Sequence, residues 1–231
     1  MNYNDYIVIN YGLPFLGFII TLIAQIYVNN SYNKYKYQSL QKRTTGAEVA
    51  RKILDKNGLE NIKIVEIKGN LTDHYDPSKK VVSLSSDIYS GDTIAAASVA
   101  AHECGHAIQH KNGYLFLKIR SAIVPFVNFS TKIGYLVVVI GIIFGFSKLA
   151  IIGLILLLAM LLFQLVTLPV EFDASKRAKK QLTSLNIISD NELSDSKTML
   201  NAAALTYVAS LITTLLQILR LALIVFGRRD D

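Results

Sequence analysis

Four long runs of apolar residues dominate the pattern along this chain of 231 residues. The first, residues 6–28, contains no charged residue and is long enough to cross a bilayer core of roughly 30 Å as a helix. No basic region precedes it and no small-residue cleavage site follows it. We therefore interpret this run as a retained membrane anchor and not as a signal peptide.

The second and third runs, residues 133–146 and 149–168, are separated only by Ser147 and Lys148 and predict a transmembrane hairpin. The second run extends back to about residue 123 and then includes Lys132. The fourth run, residues 207–226, carries Gln217 and Arg220 near its middle. Because a central arginine is rare in a lipid-facing helix, this run is expected either to span the membrane or to pack against other parts of the protein.

Shorter patterns between the first two runs predict a small α/β unit. Residues 44–57 read as a helix capped by Thr45 with an apolar stripe of Val49, Ile53 and Leu54. Residues 62–67 alternate apolar and polar side chains as a half-buried strand does. We expect a turn at 73–77 and a returning strand at 80–85, whose residues 81–84 would present an edge to an extended substrate. An alanine-rich helix begins near Thr93.

Composition and charge place this pattern in a membrane. Hydrophobic residues make up 52% of the chain, above the roughly 45–50% of soluble domains. The net charge of +7 comes from lysines and arginines that flank the apolar runs, which favours membrane topology over nucleic-acid binding. The positive-inside rule then places residues 30–120 and 170–205 in the cytoplasm and the N-terminus outside. Arg228 and Arg229 conflict with this topology if the fourth run spans.

The chemical signal is the sequence His-Glu-Cys-Gly-His at residues 102–106. On a helix, His102 and His106 lie on one face and can direct ring nitrogens at one zinc ion, while Glu103 is placed to act on a water there. Gly105 would permit close approach of another backbone or of a substrate. The single cysteine, Cys104, cannot form an internal disulfide and is interpreted as a small packed residue.

A catalytic zinc needs a third protein ligand. His110 would lie about 12 Å from His102 along the same helix and cannot share one ion with both motif histidines. His74 is an alternative. Glu171 is the better candidate because it follows Pro169, where the third run ends on the proposed cytoplasmic side. Residue chemistry alone equally allows a solvated helix start after Pro169.

The chain resembles a group of integral-membrane zinc peptidases, the gluzincins that include the HtpX heat-shock proteases and the CAAX prenyl proteases, and it is most similar to the bacterial YugP-like neutral zinc metallopeptidases. The resemblance rests on four blocks in order: residues 71–77, 98–109, 168–175 and 203–209. It implies one catalytic Zn²⁺ held by His102, His106 and Glu171. The HtpX and CAAX proteases carry an aspartate four residues after the third ligand, where this chain has Ser175; either Ser175 or Asp173 is expected to support the ligands.

Together these features predict a membrane-embedded zinc endopeptidase that hydrolyses peptide bonds by zinc-activated water with Glu103 as general base. Stabilisation of the oxyanion or contact with substrate would come from a set of four candidates: Tyr207, Arg220, Arg177 and His74. The main alternative is an inactive membrane scaffold or metal-binding protein that retains the protease fold. A zinc transporter is disfavoured because the proposed ligands fall outside the apolar runs.

The expected fold class is mainly α, with integral membrane helices and a small cytoplasmic α/β zincin-like unit. We expect an anchor at 1–33, a zincin-like part at 34–120, a transmembrane hairpin at 121–168, the third-ligand segment at 169–205 and an apolar helix at 206–231. The expected partners are the lipid bilayer and a membrane-associated protein or peptide substrate, with no nucleic acid. The expected location is a bacterial cell membrane with the active site on the cytoplasmic side.

Overall fold

The computed structural model describes residues 3–227 of the chain. Its elements follow in the order α1 (Tyr3–Ile7), a π-helical turn (Val8–Gly12), α2 (Leu13–Tyr35), α3 (Gly46–Lys56), β1 (Lys63–Ile67), β2 (His74–Asp76), β3 (Val81–Ser85), α4 (Ser86–Tyr89), α5 (Ile94–Lys111), α6 (Leu115–Ile143), α7 (Ser147–Ser184) and α8 (Asp190–Gly227). Within these residues, four helical stretches are long and apolar enough to cross a membrane: Tyr3–Tyr35, α6, α7 and α8. The predicted fold class, a mainly helical membrane protein with a small α/β unit, is confirmed.

The chain divides into two compact units. The apolar unit comprises the described parts of Met1–Gln25, Ile119–Leu168 and Thr206–Asp231. The site unit comprises Ile26–Lys118 and Pro169–Leu205 and contains the His-Glu-Cys-Gly-His segment. Each of the four long helices contributes residues to both units. Arg228 and Arg229, which conflicted with a spanning fourth run, lie outside the described residues.

In the site unit, helix α3 has the predicted cap and the predicted buried face. The Thr45 side chain accepts a hydrogen bond from the Glu48 amide at 3.3 Å, and the Glu48 carboxylate accepts one from the Thr45 amide at 2.9 Å. This reciprocal capping box satisfies two backbone donors at the helix start. The stripe of Val49, Ile53 and Leu54 is fully buried, and each of these side chains contributes about 1.5–3 kcal/mol of hydrophobic stabilisation.

The three-stranded sheet has the order β1-β3-β2, with β3 parallel to β1 and antiparallel to β2. The prediction of a strand at residues 80–85 that returns antiparallel to β1 is therefore wrong in direction. The edge predicted for residues 81–84 is also wrong, because β3 is the central strand and hydrogen-bonds on both sides. The available edges belong to β1 and β2.

The turn predicted at residues 73–77 begins later in the structure. His74–Asp76 form strand β2 instead, because Tyr75 pairs with Val82 of β3. The chain turns at residues 77–80, where the Asp76 carboxylate accepts hydrogen bonds from the Ser78 and Lys79 amides at 2.9 and 3.0 Å. Asp76 thus terminates the strand and directs the turn, as short polar side chains commonly do.

Helix α5 is the central helix of the site unit. Thr93 caps its start by accepting a hydrogen bond from the Ala96 amide at 3.2 Å, which confirms the predicted helix start. Its run of alanines is completely buried and includes Ala95, Ala96, Ala97, Ala100 and Ala101. Side chains of this size let neighbouring helices approach α5 closely, so the alanine-rich composition reflects tight packing as well as helix propensity.

The apolar-unit helices extend well beyond the apolar runs that predicted them. Helix α6 starts at Leu115, about eight residues before the expected start, and α7 continues through Pro169 to Ser184. The alternative of a new helix starting after Pro169 is therefore wrong. The φ angle of proline is compatible with a helix, although an interior proline removes one amide hydrogen bond and crowds the carbonyl four residues earlier.

Helices α6 and α7 contact each other through small residues. A Cβ atom added to Gly141 would lie 2.5 Å from the Ala150 backbone nitrogen, and one added to Gly153 would lie 2.6 Å from the Val138 nitrogen. Backbones this close are typical of helix contacts in membranes. Small side chains let the helices approach, and van der Waals contact between the helices then provides the stabilisation that hydrophobic burial provides in water.

Candidate metal centre

The two motif histidines lie one turn apart on helix α5. The ring centroids of His102 and His106 are 4.8 Å apart and the rings are nearly perpendicular. The i, i+4 spacing therefore places both rings on one face of the helix, as the sequence predicted. Both side chains are mostly buried, with 16% of His102 and 12% of His106 exposed to solvent.

Glu171 of helix α7 completes a group of three metal-ligating side chains. Glu171 is 2% exposed, and its Oε2 lies 3.2 Å from His102 Nε2 and 3.6 Å from His106 Nε2. Ligands around a tetrahedral zinc ion, with bonds of about 2.1 Å, are separated by about 3.4 Å. Two imidazoles and one carboxylate at these distances fit a zinc ion with one further position available for water or substrate. Within residues 3–227, this is the one cluster of at least three candidate metal ligands.

Burial and charge act in opposite directions on His106. Burial lowers its pKa, but the hydrogen bond to Glu171 and the nearby Glu103 carboxylate outweigh burial, and the net effect raises the pKa. The same carboxylates that favour a proton on this imidazole also favour a cation between the three ligands. A metal and a proton would compete for the Nε2 position.

The outer nitrogens of both histidines have partners. Ser175 Oγ lies 3.2 Å from His102 Nδ1, and Gln109 Oε1 lies 3.0 Å from His106 Nδ1. Because an amide oxygen only accepts, His106 Nδ1 carries a hydrogen, and Nε2, which faces Glu171, is the nitrogen available to a metal. The outer partners thus orient the rings for ligation.

Gln109 connects the histidine to the helix that carries Glu171. It is fully buried, and its amide nitrogen donates to the Val170 carbonyl at 2.8 Å and to the Asp173 carboxylate at 2.9 Å. Asp173 also accepts a hydrogen bond from Arg177 Nε at 2.5 Å. Sequence reasoning missed Gln109 as a site residue, although its position three residues after His106 on the same helix face could have indicated it.

Gly105 lets helices α5 and α7 touch at the site. A Cβ atom there would lie 2.6 Å from the Ala174 carbonyl oxygen and 3.1 Å from the Ala174 Cα. The predicted close approach of another backbone is confirmed, and that backbone is the α7 segment carrying Glu171. Any larger residue at position 105 would separate the histidines from the third candidate ligand.

The general-base candidate Glu103 and the lone cysteine occupy different environments. Glu103 is buried to 8% exposure beside the histidines. Cys104 is completely buried, its sulfur lies 3.6 Å from the Ala50 carbonyl, and burial raises the pKa of its thiol. Cys104 is therefore a packed thiol, as expected, and it is not part of the ligand cluster.

The remaining histidines lie outside the cluster. His74 is exposed on strand β2, with Nδ1 2.9 Å from the Thr72 carbonyl. His110 Nδ1 lies 2.9 Å from the Tyr75 hydroxyl. Neither joins the group of His102, His106 and Glu171.

The other three substrate-contact candidates divide between the units. Arg177 lies in the site unit, where it is bound to Asp173 and its guanidinium lies 5.9 Å from the Tyr114 ring centre. Tyr207 and Arg220 belong to the apolar unit. Tyr207 lines a cavity there, and Arg220 has a buried Nε without a hydrogen-bond partner among the described residues.

Comparisons with known proteins identify the family to which the chain is similar. A family model described as "putative neutral zinc metallopeptidase" matches residues 11–226. The protein named "Putative membrane protease YugP" from Bacillus subtilis (strain 168) is 44% identical over 208 residues, covering 90% of this chain and 92% of that protein. No solved structure gives a significant match.

Proposed function

Because the chain belongs to this family of neutral zinc metallopeptidases, we propose that it is a membrane-embedded endopeptidase that hydrolyses peptide bonds at a site with one zinc ion. One observation carries the proposal: the ligand atoms of His102, His106 and Glu171 lie within 4.8 Å of one another, with Glu103 adjacent in the chain. The three side chains are assigned as the zinc ligands and Glu103 as the general base.

Zinc bound by these residues would supply a Lewis acid that lowers the pKa of water toward neutrality and polarises the substrate carbonyl. Glu103 accepts the proton of the attacking water and delivers it to the amine that leaves when the peptide bond breaks. Burial helps Glu103 in this role because a carboxylate that is partly shielded from water exchanges protons with the substrate rather than with solvent.

Three further residues are assigned a positioning role. Ser175 holds the outer nitrogen of His102, and Gln109 holds that of His106. Asp173 does not contact a histidine but accepts a hydrogen bond from the Gln109 amide and so fixes its orientation. Arg177 forms an ion pair with Asp173. Both sequence-based candidates for supporting the ligands, Ser175 and Asp173, thus receive roles, but on different histidines.

Strand β2 is proposed as the edge that pairs with an extended substrate. It has one side on β3 and is the edge strand that reaches α5, through the contact of Tyr75 with His110. Backbone pairing there would give affinity without strong sequence preference. His74, exposed on the same strand, is retained as a substrate contact.

The substrate is proposed to be a membrane-associated protein or peptide, cleaved on the cytoplasmic side of a bacterial cell membrane. Four helices long and apolar enough to span support a multi-pass arrangement. The basic residues that flank the apolar runs support the cytoplasmic assignment for the site unit. Tyr207 and Arg220 are not assigned to oxyanion stabilisation in this proposal.

The test is the substitution Glu103→Gln, which keeps size and hydrogen bonding but removes the base. Zinc content per chain should stay at the wild-type value, while hydrolysis of a casein-derived peptide mixture in proteoliposomes falls by about 10²-fold or more. Glu66→Gln, at an exposed position on strand β1, is the matched control and should retain both properties. Unchanged hydrolysis in Glu103→Gln would support the inactive-scaffold alternative or another catalytic group.

A further inference from the structure

The apolar unit contains a cavity of about 660 Å³ between its helices. Helices α2, α6, α7 and α8 all contribute to its wall, and α8 provides most of the lining. Its volume lies within the roughly 300–1,000 Å³ of ligand-binding pockets. The cavity is therefore large enough to hold several residues of a bound chain as well as water.

The lining on α8 is a stripe of uncharged polar side chains. Thr206, Ser210, Thr213 and Gln217 follow one another at spacings of four, three and four residues and line the cavity from one face of the helix. No residue of the described lining is Asp, Glu, Lys or Arg. Polar side chains at membrane depth are costly unless they have partners and often have a function, and the absence of charge in this lining favours a neutral ligand.

Some of these groups already bind their neighbours, but others do not. Thr21 and Thr213 hydroxyls are 3.1 Å apart, and Gln164 donates to Ser210 at 3.3 Å. Within residues 3–227, the side chains of Thr214 and Gln217 have no hydrogen-bond partner although both line the cavity. A polar group left without a partner in hydrocarbon costs about 2–7 kcal/mol, so these two side chains need water or a ligand.

The side chains of Thr214 and Gln217 can form the hydrogen bonds that an unwound polypeptide backbone needs. A hydroxyl and a carboxamide each offer both a donor and an acceptor, as every peptide unit does. A membrane helix has its backbone groups satisfied internally, but a peptidase binds its substrate in an extended form. Backbone that unwinds at membrane depth is tolerated only where it is buried in protein or lines a wet cavity.

We propose that this cavity receives an unwound transmembrane segment of a protein substrate and satisfies its backbone with Thr214 and Gln217. The inference rests on the proposed endopeptidase function and narrows its substrate class to membrane-spanning proteins. Spans with Gly or Pro near their middle are preferred, because a helix interior that contains them unwinds at lower cost.

The test measures protection of a thiol placed in the cavity. Gln217→Cys is introduced in the full chain, reconstituted in proteoliposomes, and modified with a membrane-permeant maleimide. The native Cys104 is completely buried and gives little background. Two synthetic single-span peptides of about 20 residues serve as probes: one of Leu and Ala only, the other with a central Gly-Pro pair.

The Gly-Pro peptide should slow modification of Gln217→Cys by roughly tenfold when it is present at about ten times its dissociation constant, while the Leu-Ala peptide has little effect. Leu219→Cys, at an exposed position on the same helix outside the cavity lining, is the matched control and should react equally with or without either peptide. Thr214→Cys provides a second cavity position if Gln217→Cys does not fold.

Equal protection by both peptides, protection at Leu219→Cys, or no protection at either cavity position would overturn the proposal. The same holds if a neutral diacylglycerol protects the cavity thiol as well as the Gly-Pro peptide, since the cavity would then be a lipid site. Thiol protection reports binding of the peptide and does not require its hydrolysis. The result at the cavity is therefore independent of the result of Glu103→Gln, and a failure of the cavity proposal can be distinguished from a failure of the proposed peptidase function.

Discussion

The two units differ in how far their large apolar side chains are exposed. In the site unit, large aliphatic residues such as Leu40, Ile53 and Leu84 are almost completely buried. In the apolar unit, Phe18 and Phe129 are more than 60% exposed, far more apolar surface than a protein in water presents. Burial of large apolar side chains is typical of a unit folded in water, whereas their exposure over long helices is typical of a unit that crosses a membrane.

The packing inside the two units differs accordingly. The site unit has one large cluster of buried aliphatic and alanine side chains around α5. The apolar unit has a small buried cluster around Val138 and Leu157, and its helices meet through glycine contacts and hydroxyl pairs such as Thr21 with Thr213. Hydrophobic burial stabilises the first unit, whereas close backbone packing and polar contacts stabilise the second.

The largest difference should appear when one leucine is shortened in each unit. Leu54→Ala removes a fully buried side chain of the site unit and should lower the free energy of unfolding by about 2–5 kcal/mol. Leu162→Ala removes an exposed side chain of the apolar unit and should cost less than about 1 kcal/mol in detergent. Denaturant unfolding of both variants measures the difference, and equal losses would contradict the contrast between the units.

A methyl group added to one glycine in each unit should sharpen the comparison. Gly105→Ala and Gly141→Ala both direct a Cβ atom against a backbone, at 2.6 and 2.5 Å, and each should cost about 1–3 kcal/mol in unfolding free energy. The consequences for metal should differ, because only Gly105 touches the helix segment that carries Glu171. Gly105→Ala should lose zinc in elemental analysis while Gly141→Ala keeps it; loss from both would show that the two units are not independent.

Replacement of one buried glutamine should separate the metal site from the membrane packing. Gln109→Leu removes the acceptor for His106 Nδ1 and should weaken zinc binding by about 10–100-fold, measured by competition with a chelator. Gln164→Leu in the apolar unit is the matched control and should leave the zinc dissociation constant unchanged. An unaltered dissociation constant in Gln109→Leu would remove Gln109 from its positioning role.

The smallest effect is expected at Cys104. Because this thiol is completely buried and burial raises its pKa, native protein should resist alkylation for hours. Exchange of one mild detergent for another should not change that rate, since Cys104 lies inside the buried cluster of the site unit. Mass spectrometry after iodoacetamide treatment checks this expectation. Rapid alkylation of the folded protein would show that the core around α5 opens readily.

Local patterns in the sequence were sufficient to predict several features correctly. The capping box at Thr45, the start of α5 at Thr93 and the shared face of His102 and His106 all depend on residues a few positions apart. The family resemblance was also confirmed, because the matched region spans residues 11–226. The sequence therefore predicted the helices and the motif well.

Features that depend on distant contacts were predicted less well. The sheet order failed because strand β2, only three residues long, takes the edge position that β3 was expected to have. The role of Gln109 depends on Val170 and Asp173, about sixty residues later in the chain. The uninterrupted α7 through Pro169 also escaped prediction, since proline usually ends a helix.

The most direct test of the proposed metal centre is the zinc content per chain of Glu171→Ala in detergent-purified protein. His102→Ala serves as the reference for a lost ligand, and Glu66→Ala, exposed on strand β1, serves as the matched control. If Glu171 is the third ligand, Glu171→Ala should lose zinc to the same extent as His102→Ala, while Glu66→Ala stays at one ion per chain. Full zinc content in Glu171→Ala would contradict the three-ligand site and with it the proposed mechanism.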